Sequence, residues 1–409
     1  MSMELKKYKL GEIAHFVEDK VKSSDVDLEQ YVTTDSLLQN KQGRTIAVNL
    51  PPKLCSLTKY RKGDVLIGNI RPYLKKIWLA DIAGGCSQDV LALRANNDKE
   101  SLYLYALLLQ DDFYNFVMKA PKGSKMPRGD KNHILSYPCN NIKNKEKIGS
   151  LFSSLDRKIA LNRAINRNLE ALAKQLYDYW FVQFDFPDEK GRPYKSSGGK
   201  MVWNEALKRN VPLIWNQDKL GNIVLLLKDG THNPPARIES GVPLLTGTMF
   251  GNNFLDYSKA TYISKDEYEV IHSQYQPQEG DVIITKIGTL GNVNYLRDTD
   301  LPLAIHCNSA LLRFPIEWGK IYPFYSCKSS LFKARLKAVK GQSIQEFASL
   351  ERIASIPMEI PSIDIINKFN LILCPLFKEQ MTLANQTEAL IKKRDELLPL
   401  LMNGQVTIE

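Results

Sequence analysis

Histidine and cysteine are scarce in this chain and nowhere grouped. Five histidines (His15, His133, His232, His272, His306) and six cysteines (Cys55, Cys86, Cys139, Cys307, Cys327, Cys374) are spread over 409 residues. No CxxC spacing marks a zinc site or redox dithiol, and scattered thiols suit a reducing compartment better than a disulfide framework. No histidine stands in catalytic spacing with a nucleophile or carboxylate, so all five read as structural or surface residues. The phosphate loop GxxxxGK[ST], the HExxH metal helix and the GxSxG elbow are all missing. No apolar run approaches the ~18–20 residues of a membrane span, and the MSMELKKYKL start lacks a signal core. The expectation is a soluble, cytoplasmic protein that carries no catalytic or metal centre of its own.

Two short stretches imitate motifs without completing them. Asn233-Pro234-Pro235 looks like the Asn-Pro-Pro-aromatic run with which adenine methyltransferases hold a flipped base. Ala236 stands where the aromatic is needed and no glycine-rich cofactor strand accompanies it, so the run reads as a turn. Gly288-Thr289-Leu290-Gly291 lacks a dinucleotide-binding frame and reads as a hairpin or a DNA-facing loop.

What is present is positive charge, length and repetition. Fifty-five Lys and Arg against 45 Asp and Glu give a net charge of +10, which favours an anionic partner such as nucleic acid. A chain this long is more readily two domains than one core. The repetition shows which two. KLGEIAHFVEDK at Lys9 returns as KLGNIVLLLKDG at Lys219, and GDVLIGNI at Gly63 as GDVIITKI at Gly280. LALR ending at Arg94 returns as ALLR ending at Arg313, APKGSKM around Gly123 as AVKGQSI around Gly341, and ILSYP at Ile134 as IASIP at Ile353. Five matches in one order mark a tandem duplication. Each copy reads as short strands between turns; in the first, Ser101–Met118 alone has helical spacing.

Each copy is followed by a long amphipathic segment. In Ile148–Trp180 the heptad a positions are Ile148, Leu155, Asn162, Leu169 and Leu176, and the d positions Phe152, Ile159, Asn166, Ala173 and Trp180. Such a helix spans about 50 Å and needs a partner along its whole seam. The duplication supplies one in the same phase: Phe369, Leu376, Leu383, Leu390 and Leu397 at a, with Leu373, Gln380, Thr387, Arg394 and Leu401 at d. Pro375 is expected to kink or shift this second helix, and Gly404 to stop it. Asn162, Asn166, Gln380 and Thr387 form a polar centre that would fix register. Phe181–Trp215, rich in Pro, Gly, Ser and charge, reads as a connector laid over a surface, long enough for the helices to pack antiparallel.

The fold class is therefore α+β. Two repeated α/β domains, each followed by a long helix, are expected; packing of the helices as an antiparallel coiled coil of pseudo-two-fold symmetry is feasible, and parallel packing would put both domains at one end. Boundaries fall at 1–143 and 144–181 for the first domain and helix, 182–218 for the connector, 219–362 and 363–403 for the second pair, and 404–409 for the tail. Candidate DNA-binding residues lie in glycine-containing basic loops, where Lys and Arg meet phosphates and Asn, Gln and Arg read base edges. In the first copy they are Asn69, Arg71, Lys75, Lys76, Lys122, Lys125 and Arg128. In the second they are Lys228, His232, Arg237, Lys286, Thr289, Asn292, Lys340, Gln342 and Gln345. Equivalent loops carry different residues, so two copies of one scaffold could read two different sequences.

The repeated KLGxI…GDV…KG…P units, the connector YDYWFVQFDFP and GRPYKSSGGKMVWNE, and the C-terminal RDELLPLLMNGQV together resemble the specificity (S) subunits of Type I restriction-modification systems. The resemblance covers essentially the whole length. It implies two target recognition domains reading a bipartite, asymmetric double-stranded DNA site, with the helix pair as a ruler for the spacer. It also implies a non-catalytic subunit that recruits two methyltransferase (M) subunits, which use S-adenosylmethionine, and through them the ATP- and Mg-dependent restriction (R) subunits. A self-sufficient DNA adenine methyltransferase and a coiled-coil protein scaffold are the alternatives.

Overall fold

The computed structural model describes residues 7–122, 126–233, 235–341 and 347–408. The chain divides into two compact units, Met1–Ile165 with Asn385–Glu409, and Asn166–Ala384. The long helices run Lys145–Tyr177 and Ile363–Met402, so each unit holds one globular body and a segment of both helices. Among the described residues no helix is long and apolar enough to cross a membrane.

In the first unit, four antiparallel strands stand in the order Ala14–Phe16, Val90–Ala95, Val65–Gly68, Ile77–Leu79. The second unit repeats that order with Leu226–Asp229, Ser309–Arg313, Val282–Thr285 and Val293–Tyr295. The runs VLI and VII are continuously apolar because both sheet faces are covered. Val65 and Ile67 enter the core that includes Ile148 and Phe152 of the first long helix, while Leu66 enters a second core with Tyr60 and Trp78. Likewise Val282 and Ile284 point one way and Ile283 the other. A period of two between two apolar environments gives an unbroken apolar run. A smaller sheet backs each: Ser56–Tyr60 and Gly84–Cys86 with Tyr31–Val32 parallel in one unit, and Thr261–Ile263, Val242–Leu245 and parallel Ala304–Ile305 in the other.

The repeated tetrapeptides now have physical causes. In each GDV turn the glycine is left-handed, with φ of +92° at Gly63 and +94° at Gly280. The aspartate that follows is buried and takes a bidentate arginine from the LALR or ALLR strand. Arg94 Nε and its terminal nitrogen donate to the two Asp64 oxygens at 2.8 Å each, and Arg313 does the same to Asp281 at 2.8 Å each. The KLG glycines lie where the short helices Leu10–Ile13 and Leu220–Ile223 approach those at Lys131–Leu135 and Leu350–Ala354. A Cβ on Gly221 would stand 2.8 Å from Ala354 Cβ, and one on Gly11 3.3 Å from Leu135 Cβ. Each body is closed by a ribbon of its first and last strands, Lys7–Lys9 with Pro138–Asn140, and Asn216–Lys219 with Pro357–Ile360.

The helices pack antiparallel within each unit. In the first, Asp156 meets Arg394 at 2.8 Å, and Asn140, just before the first helix, reaches the Met402 carbonyl at 3.1 Å. In the second, Asn166 meets the Gln380 carbonyl at 3.2 Å, and Trp180 lies 5.8 Å from Phe369. Every d position of the second helix is buried: Leu373, Gln380, Thr387, Arg394 and Leu401. Gly404, with φ +67°, ends that helix, and the Gln405 N–H closes on the Leu400 carbonyl at 2.9 Å.

Pro375 lies inside the second long helix, which runs for 40 residues. Two expectations are corrected. Ser101–Met118 is two helices, Ser101–Leu108 and Asp111–Val117, because Gln110 turns extended and two aspartates start a new first turn. The connector is folded rather than laid over the surface. Phe181, Phe184, Phe186 and Trp215 are buried in the second unit's core, with Phe186 stacked on Trp215 at 5.3 Å, and Met201–Asn204 pairs with Arg209–Pro212 as a hairpin.

Two outcomes follow. Asp64→Ala removes the buried carboxylate that Arg94 grips, leaving it only Asp19 at 3.5 Å, and is expected to cost about 3 kcal/mol in chemical denaturation, with Asp281→Ala costing about as much. His272 is buried between Tyr268 and Tyr275, its Nε2 accepting the Ile305 N–H at 3.1 Å, and burial pushes its imidazole down to about 4. The unfolded chain therefore takes up a proton that the folded unit refuses, and stability present above ~6.5 drains away as pH falls toward 4. His272→Gln should flatten that part of the thermal-midpoint profile relative to wild type.

Candidate nucleic-acid interface

In the first unit, two loops far apart in sequence are brought together. Ile70 forms a β-bridge with Arg128, the Arg71 N–H donates to the Pro127 carbonyl at 3.0 Å, and the Gly129 N–H donates to Asn69 Oδ1 at 2.9 Å. Lys122 pairs through its backbone with Arg128. Arg128 leans on Asp89 at 3.1 Å with both side chains in solvent, and Arg71 is exposed on a left-handed residue. Lys125 lies outside the described residues. The remaining lysines are tied to protein groups: Lys75 meets Asp111 at 2.9 Å and Lys76 donates to the Thr34 carbonyl.

The second unit uses the same pairing with other residues. Ile287 bridges Phe347, and the Ala348 N–H donates to the Lys286 carbonyl at 3.0 Å. Gly288 and Gly291, with φ of +81° and +85°, close a hairpin tip whose Thr289 and Asn292 are exposed. The Asn292 N–H donates to Thr285 Oγ1 at 3.0 Å, and that hydroxyl donates to the Thr289 carbonyl, so the tip is held from below. Lys286 is only 5% exposed and is bound to Asp229 at 2.6 Å. It does not present its ammonium outward, contrary to its expected role as a phosphate contact. Asp229 also meets His232 at 3.2 Å, while Lys228, His232 and Arg237 are exposed. Lys340 is exposed too, and Gln342 and Gln345 lie outside the described residues.

Sequence reasoning missed the acids and one histidine. His306 bridges Thr231; burial first, then neighbouring Arg237 and His232, lower its pKa. Asp89, Asp111 and Asp229 neutralise basic residues inside the loops. A repeat-by-repeat search for carboxylates near the basic loops would have raised them as candidates, although not their pairings. Among the described residues no group of three His, Cys, Asp or Glu side chains could hold a metal ion.

The polar centre of the helix pair is tied outward as well as across. In the second unit Gln380 is fully buried, and its Oε1 accepts from Asn253 at 3.0 Å and from the Tyr325 hydroxyl at 3.4 Å. In the first unit Asn162 is fully buried with its Nδ2 at 3.5 Å from Gln386 Oε1, and Thr387 is buried nearby on the second helix. The strongest tie there is Asp156, which takes both the Arg394 guanidinium at 2.8 Å and the Tyr105 hydroxyl at 2.7 Å. Tyr105 and Tyr325 stand at corresponding places in the two copies, each on the helix after the LALR or ALLR strand.

One body is thus built twice, each copy with a paired set of loops that carry different residues. No family model matches the chain. It is 24% identical over 369 residues to the specificity subunit of the Type I restriction enzyme MjaIX of Methanocaldococcus jannaschii, covering 87% of this chain and 81% of that protein. It is 27% identical over 191 residues to the HindI specificity subunit of Haemophilus influenzae, covering 44% of this chain and 41% of that protein. In fold it matches the S subunit of a Type I restriction-modification system from M. genitalium with a TM-score of 0.58 at 16% identity, over 100% of this chain and 98% of that one. In sequence the chain is thus similar to Type I specificity subunits, and it shares the fold of one of them.

Arg71 and Lys286 should separate reading from support. Arg71→Ala is expected to weaken DNA binding without lowering the thermal midpoint, at a cost of about 1–3 kcal/mol if it reads a base. Lys286→Met, which strands Asp229, is expected to lower the midpoint and leave the salt dependence of binding unchanged.

Proposed function

We propose that the chain reads a bipartite, asymmetric double-stranded DNA site and directs adenine methylation and restriction carried out by partner subunits. The observation that carries this reading is the recurrent loop pairing. Ile70–Arg128 and Ile287–Phe347 are the same bridge on the same scaffold, yet the exposed residues around them differ. Arg71 and Arg128 surround one, and Thr289, Asn292, Lys228, His232 and Arg237 the other. One framework with two chemistries reads two half-sites, with phosphate contacts supplying affinity and base edges supplying choice. The chain itself carries no catalytic step in this reading. Two M subunits supply S-adenosylmethionine chemistry on adenine, and R subunits, joined through M, supply ATP- and Mg-driven restriction in the cytoplasm.

The helix pair sets the spacing between half-sites. Removing seven residues from each helix, Lys158–Ala164 and Asn385–Ile391, shortens the pair by about 10 Å. Selection of bound duplexes from a random library, or methylome sequencing of the assembled complex, should then give the same half-sites separated by a spacer shorter by about three base pairs. An unchanged spacer would sink the ruler. Methyl transfer by the isolated chain would overturn the non-catalytic assignment.

A further inference from the structure

Four of the seven non-glycine residues with left-handed backbone among the described residues lie in two facing loops of the first unit: Asn40, Lys41, Arg71 and Lys75, with φ of 54°, 59°, 57° and 51°. Such conformations persist only where the surroundings over-determine them, and they concentrate at functional sites. Here the surroundings are identifiable. The Asn40 N–H donates to the Leu74 carbonyl at 2.9 Å and the Lys41 N–H to the Lys75 carbonyl at 2.8 Å. Both lysine side chains then converge on one carboxylate oxygen, Asp111 Oδ1, at 2.8 Å from Lys41 and 2.9 Å from Lys75. Burial works to raise the Asp111 carboxyl, yet the two ammoniums hold it below its usual range. Lys41 is 7% exposed and also lies 3.9 Å from Asp395 of the second long helix.

The consequence is a turn in which Lys75 is tied, together with Lys41, to Asp111 while other side chains are left out in solvent. From left-handed Arg71 to left-handed Lys75, it is Arg71 and Tyr73 that are exposed. We propose that Asp111 is a positioning residue for one half-site: it gathers Lys41 and Lys75 so that the Arg71–Lys75 turn keeps one shape and presents Arg71 and Tyr73 to the base edges. The same carboxylate keeps two ammoniums off the phosphates. Asp111 thus exchanges sequence-independent affinity for discrimination. This inference rests on the DNA-recognition reading above.

The test uses the full chain in its assembled complex, with the duplex site recovered by selection from a random library. Asp111→Asn removes the negative charge from a half-exposed side chain and leaves the fold a neutral hydrogen-bonding group. Discrimination against base changes in one half-site should fall about tenfold, the weight of one good base contact, with the other half-site unaffected. Binding to random duplex should not weaken, and its log–log salt slope should steepen by about one to two as the freed ammoniums reach phosphates. Asp111→Glu should restore discrimination, and Lys75→Gln, which removes one arm, should reproduce the half-site-specific loss. Unchanged discrimination in Asp111→Asn, or an equal loss at both half-sites with weaker random-duplex binding, would overturn the proposal in favour of a plain stabilising ion pair. If wild type selects no site at all, the DNA-recognition reading fails first and the positioning role with it.

Discussion

A helix of 33 residues and another of 40 cannot rest on one small body, and their seam must be covered along its length. That constraint shapes each unit. The apolar layers of the seam supply most of the burial, but they are permissive about register, since neighbouring leucine layers resemble one another. The buried polar side chains are not permissive. Arg394 meets Asp156 across the seam besides its neighbour Asp395, and Gln380 accepts from Asn253 and Tyr325. Removing one partner of a buried charged pair typically costs ~3–5 kcal/mol. A slip of one helical turn would incur that cost as well as the lost packing.

Both ties reach beyond the helices. Tyr105 and Tyr325 bring the globular body into the same polar clusters that align the helices, so body and seam share their hydrogen-bond partners within each unit. A polar layer that served only to pair two helices would have no need of a third member. Here it makes the attachment of each globular body to its helix segment as specific as the pairing itself.

Much of this was legible in the sequence, and the reasons differ by feature. The duplication, the heptad phase of both helices and the stop at Gly404 are local or periodic patterns. The GDV and LALR repeats were visible as repeats, although the Asp64–Arg94 pair behind them joins residues thirty apart. What escaped is electrostatic. Lys286 reads as a free cation because Asp229 lies 57 residues away, and Lys75 because Asp111 arrives on a helix that was expected to run unbroken from Ser101. The connector was misread for a different reason: its Gly, Pro and charge outvoted aromatics spaced irregularly, whose burial depends on core residues far along the chain.

The closing ribbons carry a further implication. In each body the chain enters and leaves on neighbouring antiparallel strands, Lys7–Lys9 beside Pro138–Asn140 and Asn216–Lys219 beside Pro357–Ile360. The two ends are held by backbone hydrogen bonds, which are indifferent to side-chain identity. Whatever lies between can grow, shrink or be replaced wholesale while the junction keeps its geometry, much as a cartridge shares a fitting with its socket. Genetic exchange between such chains would find natural crossover points there, and one recombination event could replace a whole body without rebuilding the helices that carry it.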